Sequence, residues 1–280
     1  MDWQNIAGFG IAGNMTGHLE QAGEAGDFTQ VQVLEATAPK GIFPFYIPKS
    51  PATRQLHVMP LSSTLIELNP DGERYQIEPE MSLLCDLHYK DGAVSAIVPL
   101  SAMAHNDCSI RKKGAKKISS KKNWGPHTKG VSTNPIAIDQ FSAGGILDHI
   151  QLTSYLLRDE HLHLYGVSSP VISYSYFYEQ LLDWMIEKFA HQKDEGPLEN
   201  LKAALAEAQY PAQALISIGA TRYTRFGETN FLKPNDIAIV ALYDTRTYTE
   251  QDIREIIRQG DASRPHLSLL RQTVRLRQPG

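Results

Sequence analysis

Cysteine is nearly absent: Cys85 and Cys108 are the only two in 280 residues, too few for a disulfide scaffold. Neither belongs to a CxxC pair of the kind that binds zinc, and both are expected to be reduced thiols of a cytoplasmic protein. No apolar run approaches the roughly 20 residues of a membrane-spanning helix. The opening "MDWQNIAGFG" lacks the basic and apolar regions of a secretory signal. Charge of one sign is not in excess either. Lys and Arg number 27 against 31 Asp and Glu, for a formal net charge of −4, so nothing drives the chain toward nucleic acid or acidic membranes. Internal repeats are missing, and a lysine-rich stretch at 112–122 is the one biased segment. That stretch carries no interleaved aromatic residue, which argues against single-stranded nucleic acid and for a solvated loop or a lid.

What is present is strand-like. "VQVLEA" (31–36), "STLIEL" (63–68), "SLLCDLHY" (82–89), "AVSAIVPL" (93–100), "HLHLYGV" (161–167), "ALISIGA" (214–220) and "DIAIVALY" (236–243) are short apolar or alternating runs between Gly, Pro, Asn and Asp. Helical spacing is rarer. In "SYFYEQLLDWMIEKFAHQ" (175–192), Phe177, Leu181, Leu182, Met185, Ile186 and Phe189 fall on one stripe, and "PLENLKAALAEAQ" (197–209) opens with proline at its first turn. The mixture predicts a β-rich α+β fold around antiparallel sheet rather than βαβ winding.

"GFGIAG" (Gly8, Gly10, Gly13) satisfies the GxGxxG pattern, and Glu35 stands near the distance of a ribose-binding acid. Its setting is poor: "DWQNIA" is too polar for a buried parallel strand, and the following segment is too glycine-rich for a long helix. A nicotinamide-dinucleotide site remains a minor alternative.

A sharper pattern lies at Glu78-Pro79-Glu80. Residues two apart on an extended strand face the same side, and two neighbouring carboxylates repel unless a cation lies between them. Asp107, some 27 residues beyond Glu80, completes a possible all-oxygen set. Such a set suits Mg²⁺ or Mn²⁺, with Ca²⁺ as a crystallisation stand-in, because hard cations prefer oxygen ligands.

In this order the chain carries Glu78-Pro79-Glu80, "NDCSIR" (106–111), "WGPHTK" (124–129) and the hairpin "FLKPND" (231–236), preceded by "FYIPKS" (45–50). The pattern resembles the fumarylacetoacetate hydrolase superfamily, in patches from residue 8 to residue 243. The resemblance implies a rolled, mixed, β-clip-like sheet with a few peripheral helices, a metal at its mouth and a homodimer. By matched position it makes Glu78, Glu80 and Asp107 metal ligands, and Arg111 and Lys129 contacts for the substrate carboxylate or enolate. His18 becomes a base and Thr221 a further substrate contact.

The chain departs from the family pattern near these positions. Gln21 stands where a glutamate would assist His18, Ala220 replaces an expected hydroxyl residue, and the segment after Lys129 is one residue short. The expected domain plan is an N-terminal segment with lid and strand elements (1–60), a catalytic core (61–249) and a C-terminal extension (250–280), together one compact unit. The expected activity is that of a divalent-metal-dependent hydrolase or lyase on a C–C bond of a small 2-oxo or β-dicarbonyl acid. The alternative is a non-catalytic ligand-binding protein on the same scaffold. Asp107→Ala is expected to lose metal binding and remain folded.

Overall fold

A computed structural model describes residues 2–28, 31, 35, 37–51, 55–112, 114–260 and 263–278, with Asp27 described by its backbone alone. Its first half holds strands β1 (Ala7–Ala12), β2 (Gly41–Tyr46), β3 (Leu61–Ser62), β4 (Leu65–Leu68), β5 (Tyr75–Gln76), β6 (Pro79–Lys90), β7 (Ala93–Asn106), β8 (Ser109–Ile110), β9 (Lys129–Val131) and β10 (Ile136–Ala137), with helices α1 (His18–Ala22) and α2 (Ser119–Lys122). The second half adds β11 (Ile150–Arg158), β12 (His161–Pro170), β13 (Gln213–Ala220), β14 (Ile237–Asp244) and β15 (Leu267–Leu276). Its helices are α3 (Tyr178–His191), α4 (Leu201–Glu207), α5 (Arg225–Thr229) and α6 (Glu250–Gln259). The fold class is β-rich α+β, as expected from the strand pattern.

Eight strands form the larger sheet in the order β2-β1-β13-β6-β7-β9-β3, with β10 also on β7; five form the second in the order β12-β11-β14-β15-β4. The backbone of the larger sheet is the long β6–β7 hairpin. Asp91 and Gly92 at its turn have φ of 52° and 71°, the pair of positive values that a tight two-residue hairpin requires. From there the antiparallel register runs to Glu80 opposite His105 and Pro79 opposite Asn106. One step further, the Asp107 amide donates to the Glu78 carbonyl at 2.9 Å, so the register itself brings Asp107 to the paired glutamates.

Helix α3 buries Leu181, Met185 and Phe189, spaced by one helical turn, and the Phe189 ring stands edge-on to Phe9 of β1 at 5.0 Å. Helix α6 packs Ile253, Ile256 and Ile257 on Ile239, Ala241, Leu267 and Leu269 of the second sheet. No helix among the described residues is long and apolar enough to cross a membrane.

Several expectations change. "GFGIAG" is not a dinucleotide turn. Its residues 8–12 lie in β1, whose neighbours are β2 and β13, and the Phe45 and Phe43 rings pack where side chains on Gly8 and Gly10 would stand. The nicotinamide alternative therefore loses its motif. "VQVLEA" lies largely outside the described residues. The helix expected over 197–209 is confined to 201–207, because Asn200, not Pro197, caps it by accepting from the Ala203 amide. The segment from residue 250 contributes α6 and also β15, which lies between β14 and β4 in the second sheet. Finally, the lysine-rich stretch is not uniformly solvated. Lys112 and Lys116 are exposed, but Lys121 and Lys122 are each only 3% exposed.

Candidate active site

Glu78, Glu80 and Asp107 are all buried, and each offers a carboxylate oxygen within 4.8 Å of the others. Strand β6 begins between the two glutamates, and the end of β7 supplies the aspartate. Glu80 Oε2 accepts a hydrogen bond from the Gly219 amide at 2.8 Å. Gly219 can present that N–H because its φ is +118°, at an irregularity in the β13–β6 register where a side chain would press on Asn14.

Four cations surround these acids. Lys122 Nζ is 2.5 Å from Glu78 Oε2 and 2.5 Å from Asp107 Oδ2. Lys129 Nζ pairs with Asp107 Oδ1 and is fully buried. Arg111 pairs with Glu78 Oε1 (2.7 Å) and donates to Glu24 Oε1 (2.8 Å), Gln76 Oε1 (2.6 Å) and the Tyr223 hydroxyl (2.6 Å). Lys121 reaches Glu24 Oε1 at 3.0 Å. Glu24, Glu78 and Asp107 thus meet four cations in a largely buried space, where unpaired charge would be costly.

The electrostatics separate the two strand glutamates. Burial alone would raise Glu78, but Lys122 and Arg111 hold it well below the usual carboxylate range. Burial and the Asp107 charge push Glu80 well above that range. Lys122 is raised by Asp107 and Glu78 against the opposing effect of burial, whereas burial lowers Lys129. The imidazole of His18 is pulled down from 6.5, chiefly by burial, and is neutral at pH 7.

His18 stands at the start of α1, and its Nδ1 lies 2.8 Å from the Thr221 carbonyl. A carbonyl only accepts, so Nδ1 carries the proton and Nε2 keeps the lone pair. Gln21 does not orient this ring; its side chain bonds both the amide and the carbonyl of Tyr223. The Thr221 carbonyl takes the orienting role that a glutamate at position 21 was expected to play.

His18, Glu24, Glu78, Glu80, Asp107 and Lys122 line one cavity of about 20 Å³, room for a single water-sized body. Apolar side chains from the neighbouring segments, Leu19, Phe28 and Ile118 among them, close its other side. Arg111, Lys129 and Thr221 do not line it. The Arg111 guanidinium is committed to protein partners, Lys129 stands behind Asp107, and Thr221 meets the site through its backbone. The sequence reading missed Glu24 and Lys122 as members. A run of six lysines reads as a solvated face, and no spacing rule marks which of them turns inward.

The donor chemistry fits a divalent cation: three converging carboxylate oxygens and space for a water-sized body. The ammonium of Lys122, however, engages two of those three carboxylates.

Over residues 24–274 the sequence matches a family described as a family of unknown function, DUF5718. No curated protein matches the chain. Among solved structures, the yeast protein ynq8, a fumarylacetoacetate hydrolase family protein, superposes with a TM-score of 0.56 at 12% identity, covering 99% of this chain and 96% of its own. A 2-keto-3-deoxy-D-arabinonate dehydratase complexed with magnesium and 2,5-dioxopentanoate gives 0.54 at 14% identity, with 98% and 74% covered. A 5-carboxymethyl-2-hydroxymuconate delta-isomerase from Mycobacterium smegmatis gives 0.55 at 12%, with 98% and 80% covered. At such identities the likeness is one of fold: the chain is built on the fumarylacetoacetate hydrolase scaffold.

Proposed function

The chain belongs to the DUF5718 family, and from that premise and its scaffold we propose a cytoplasmic, divalent-metal-dependent enzyme acting on a C–C bond of a small 2-oxo or β-dicarbonyl acid. The observation that carries the proposal is the convergence of Glu78, Glu80 and Asp107 within 4.8 Å in a cavity that His18 also lines. Two neighbours on the same scaffold support it by name: a dehydratase complexed with magnesium and a dioxo acid, and an isomerase of a carboxylated muconate.

Glu78, Glu80 and Asp107 would hold Mg²⁺ or Mn²⁺, which when bound supplies polarisation of a substrate carbonyl and stabilisation of an enolate. The protein's own groups do the rest. His18 accepts a proton at Nε2, its ring fixed by the Thr221 carbonyl. Arg111 and Lys129 pair with Glu78 and Asp107 and keep them aimed; direct contact of either with substrate, or of the Thr221 hydroxyl, requires the cluster to rearrange. The cavity is too small for an oxo-acid, so the cover formed by α1, residues 25–28 and α2 opens to admit it. A homodimer is the proposed assembly, which light scattering would report as twice 31.2 kDa.

The test is turnover of oxaloacetate and a simple acylpyruvate with Mn²⁺. Wild-type activity should fall about 10²–10⁴-fold in His18→Gln. One feature favours the second reading, a non-catalytic ligand-binding protein: both oxygens of Glu78 and of Asp107 are already engaged by protein cations. Saturable binding of these acids without turnover, unaltered by His18→Gln, would select it.

A further inference from the structure

Each of the two best-paired carboxylates divides its oxygens in the same way. Glu78 gives Oε1 to Arg111 and Oε2 to Lys122; Asp107 gives Oδ1 to Lys129 and Oδ2 to Lys122. Arg111 is anchored by further bonds to Glu24, Gln76 and Tyr223, and Lys129 is fully enclosed. Lys122 differs from both. It lines the cavity, it ends the four-residue helix α2, and besides the two carboxylates its ammonium approaches the Phe43 ring at 5.2 Å. Withdrawing this one side chain would free one oxygen on Glu78 and one on Asp107, beside the Glu80 carboxyl, which has no cation directly paired to it among the described contacts.

We propose that Lys122 is a tethered competitor for the divalent-cation position: its ammonium holds the three-carboxylate cluster closed, and a metal ion loads only by displacing it. The proposal rests on the metal reading above and adds its regulation. A divalent cation held by Glu78 and Asp107 would need lone pairs that Lys122 now uses, and two positive charges competing for the same oxygens repel strongly in a buried site. The chain thereby carries its own counter-ion. Glu78 and Asp107, which would otherwise repel, remain paired in the metal-free protein, at the cost of weaker metal affinity.

Calorimetric titration of the chelator-stripped full chain with Mn²⁺ tests the idea, comparing wild type with Lys122→Met. The variant should bind at one site with an affinity about 100-fold or more above wild type, the scale expected when a buried pair no longer has to be broken. Equal affinities in the two proteins would overturn the competitor role and leave the metal reading standing. Binding by neither would overturn both. Should Lys122→Met fail to fold, the wild type decides. Reductive methylation of Lys122, followed by mass spectrometry, should rise when Mn²⁺ is bound, because the ammonium has left its enclosed position. Unchanged labelling at saturating Mn²⁺ would contradict the displacement.

Discussion

Glu78 and Glu80 are separated by a single residue yet are driven in opposite directions, the first held low by Lys122 and Arg111 against the effect of burial, the second pushed up by burial and Asp107. Environments that separate neighbouring carboxyls in this way are the usual basis for giving one fold an acid and a base. The E-x-E spacing made the pair legible, and "NDCSIR" made Asp107 legible. The cations were less so, because a lysine's destination depends on tertiary neighbours. The same cations revise one expectation. Asp107 is fully buried against Lys122 and Lys129, so Asp107→Ala leaves two ammonium groups short of a partner and should cost about 3–5 kcal/mol. Denaturant midpoints would register that loss, with Asp107→Asn less affected. Protonation of His18 gives a second outcome at this scale. Its folded pKa lies below its unfolded 6.5, so the unfolded state binds the extra proton, and the stabilisation present above pH 6.5 is lost as pH falls through the folded value. His105, lowered by burial and by Lys129, acts in the same direction. Melting temperature should therefore drop between pH 7 and pH 5, by about 2–4 °C for each kcal/mol lost. His18→Gln should flatten that slope, and an unchanged slope would remove His18 as its source.

Among the elements, the β6–β7 hairpin is the one on which the site depends most. Its apolar runs at 82–89 and 93–100 were readable, but the Asp91-Gly92 turn that joins them was not singled out, and the register includes two bulges, at Leu84/Cys85 and His88/Tyr89. Those bulges were not readable, because nothing in the local pattern marks an extra residue in an otherwise continuous apolar strand. Strand β13 contributes through a single glycine. A side chain at Gly219 would be strained at φ +118° and would approach Asn14 Cβ to 3.1 Å. Gly219→Val should destabilise the fold by about 1–3 kcal/mol. It should also misplace the amide that Glu80 accepts, so Mn²⁺ affinity falls along with the melting temperature. A variant that loses stability but keeps full affinity would show that Glu80 does not need this amide. Helix α1 is short and was visible only through His18. Its residues reach the site because Gly17 and Gly23, both at positive φ, bound it tightly at each end.

At the scale of the molecule, sequence patterns named the strands but not their order. Residues 7–10 pair in parallel with residues 214–217, and residues 65–68 of β4 with residues 273–276 of β15, each about two hundred positions away. Such pairings are set by packing of the complete chain, not by any local signal. The resemblance to the fumarylacetoacetate hydrolase superfamily, carried by a few motifs, supplied the scaffold that periodicity could not, yet it ended before β15. The assembled molecule gathers Glu78, Glu80, Asp107, Lys122 and the His18 imidazole around one cavity, lined also by residues of α1 and beside α2, that must open before any oxo-acid enters. The most direct measurement is an anomalous difference map from crystals of the full chain grown without chelator and soaked in Mn²⁺. One peak ligated by Glu78, Glu80 and Asp107 is expected, with the Lys122 ammonium displaced from between Glu78 and Asp107. An empty cluster with Lys122 still bridging those two carboxylates at saturating Mn²⁺ would contradict this expectation.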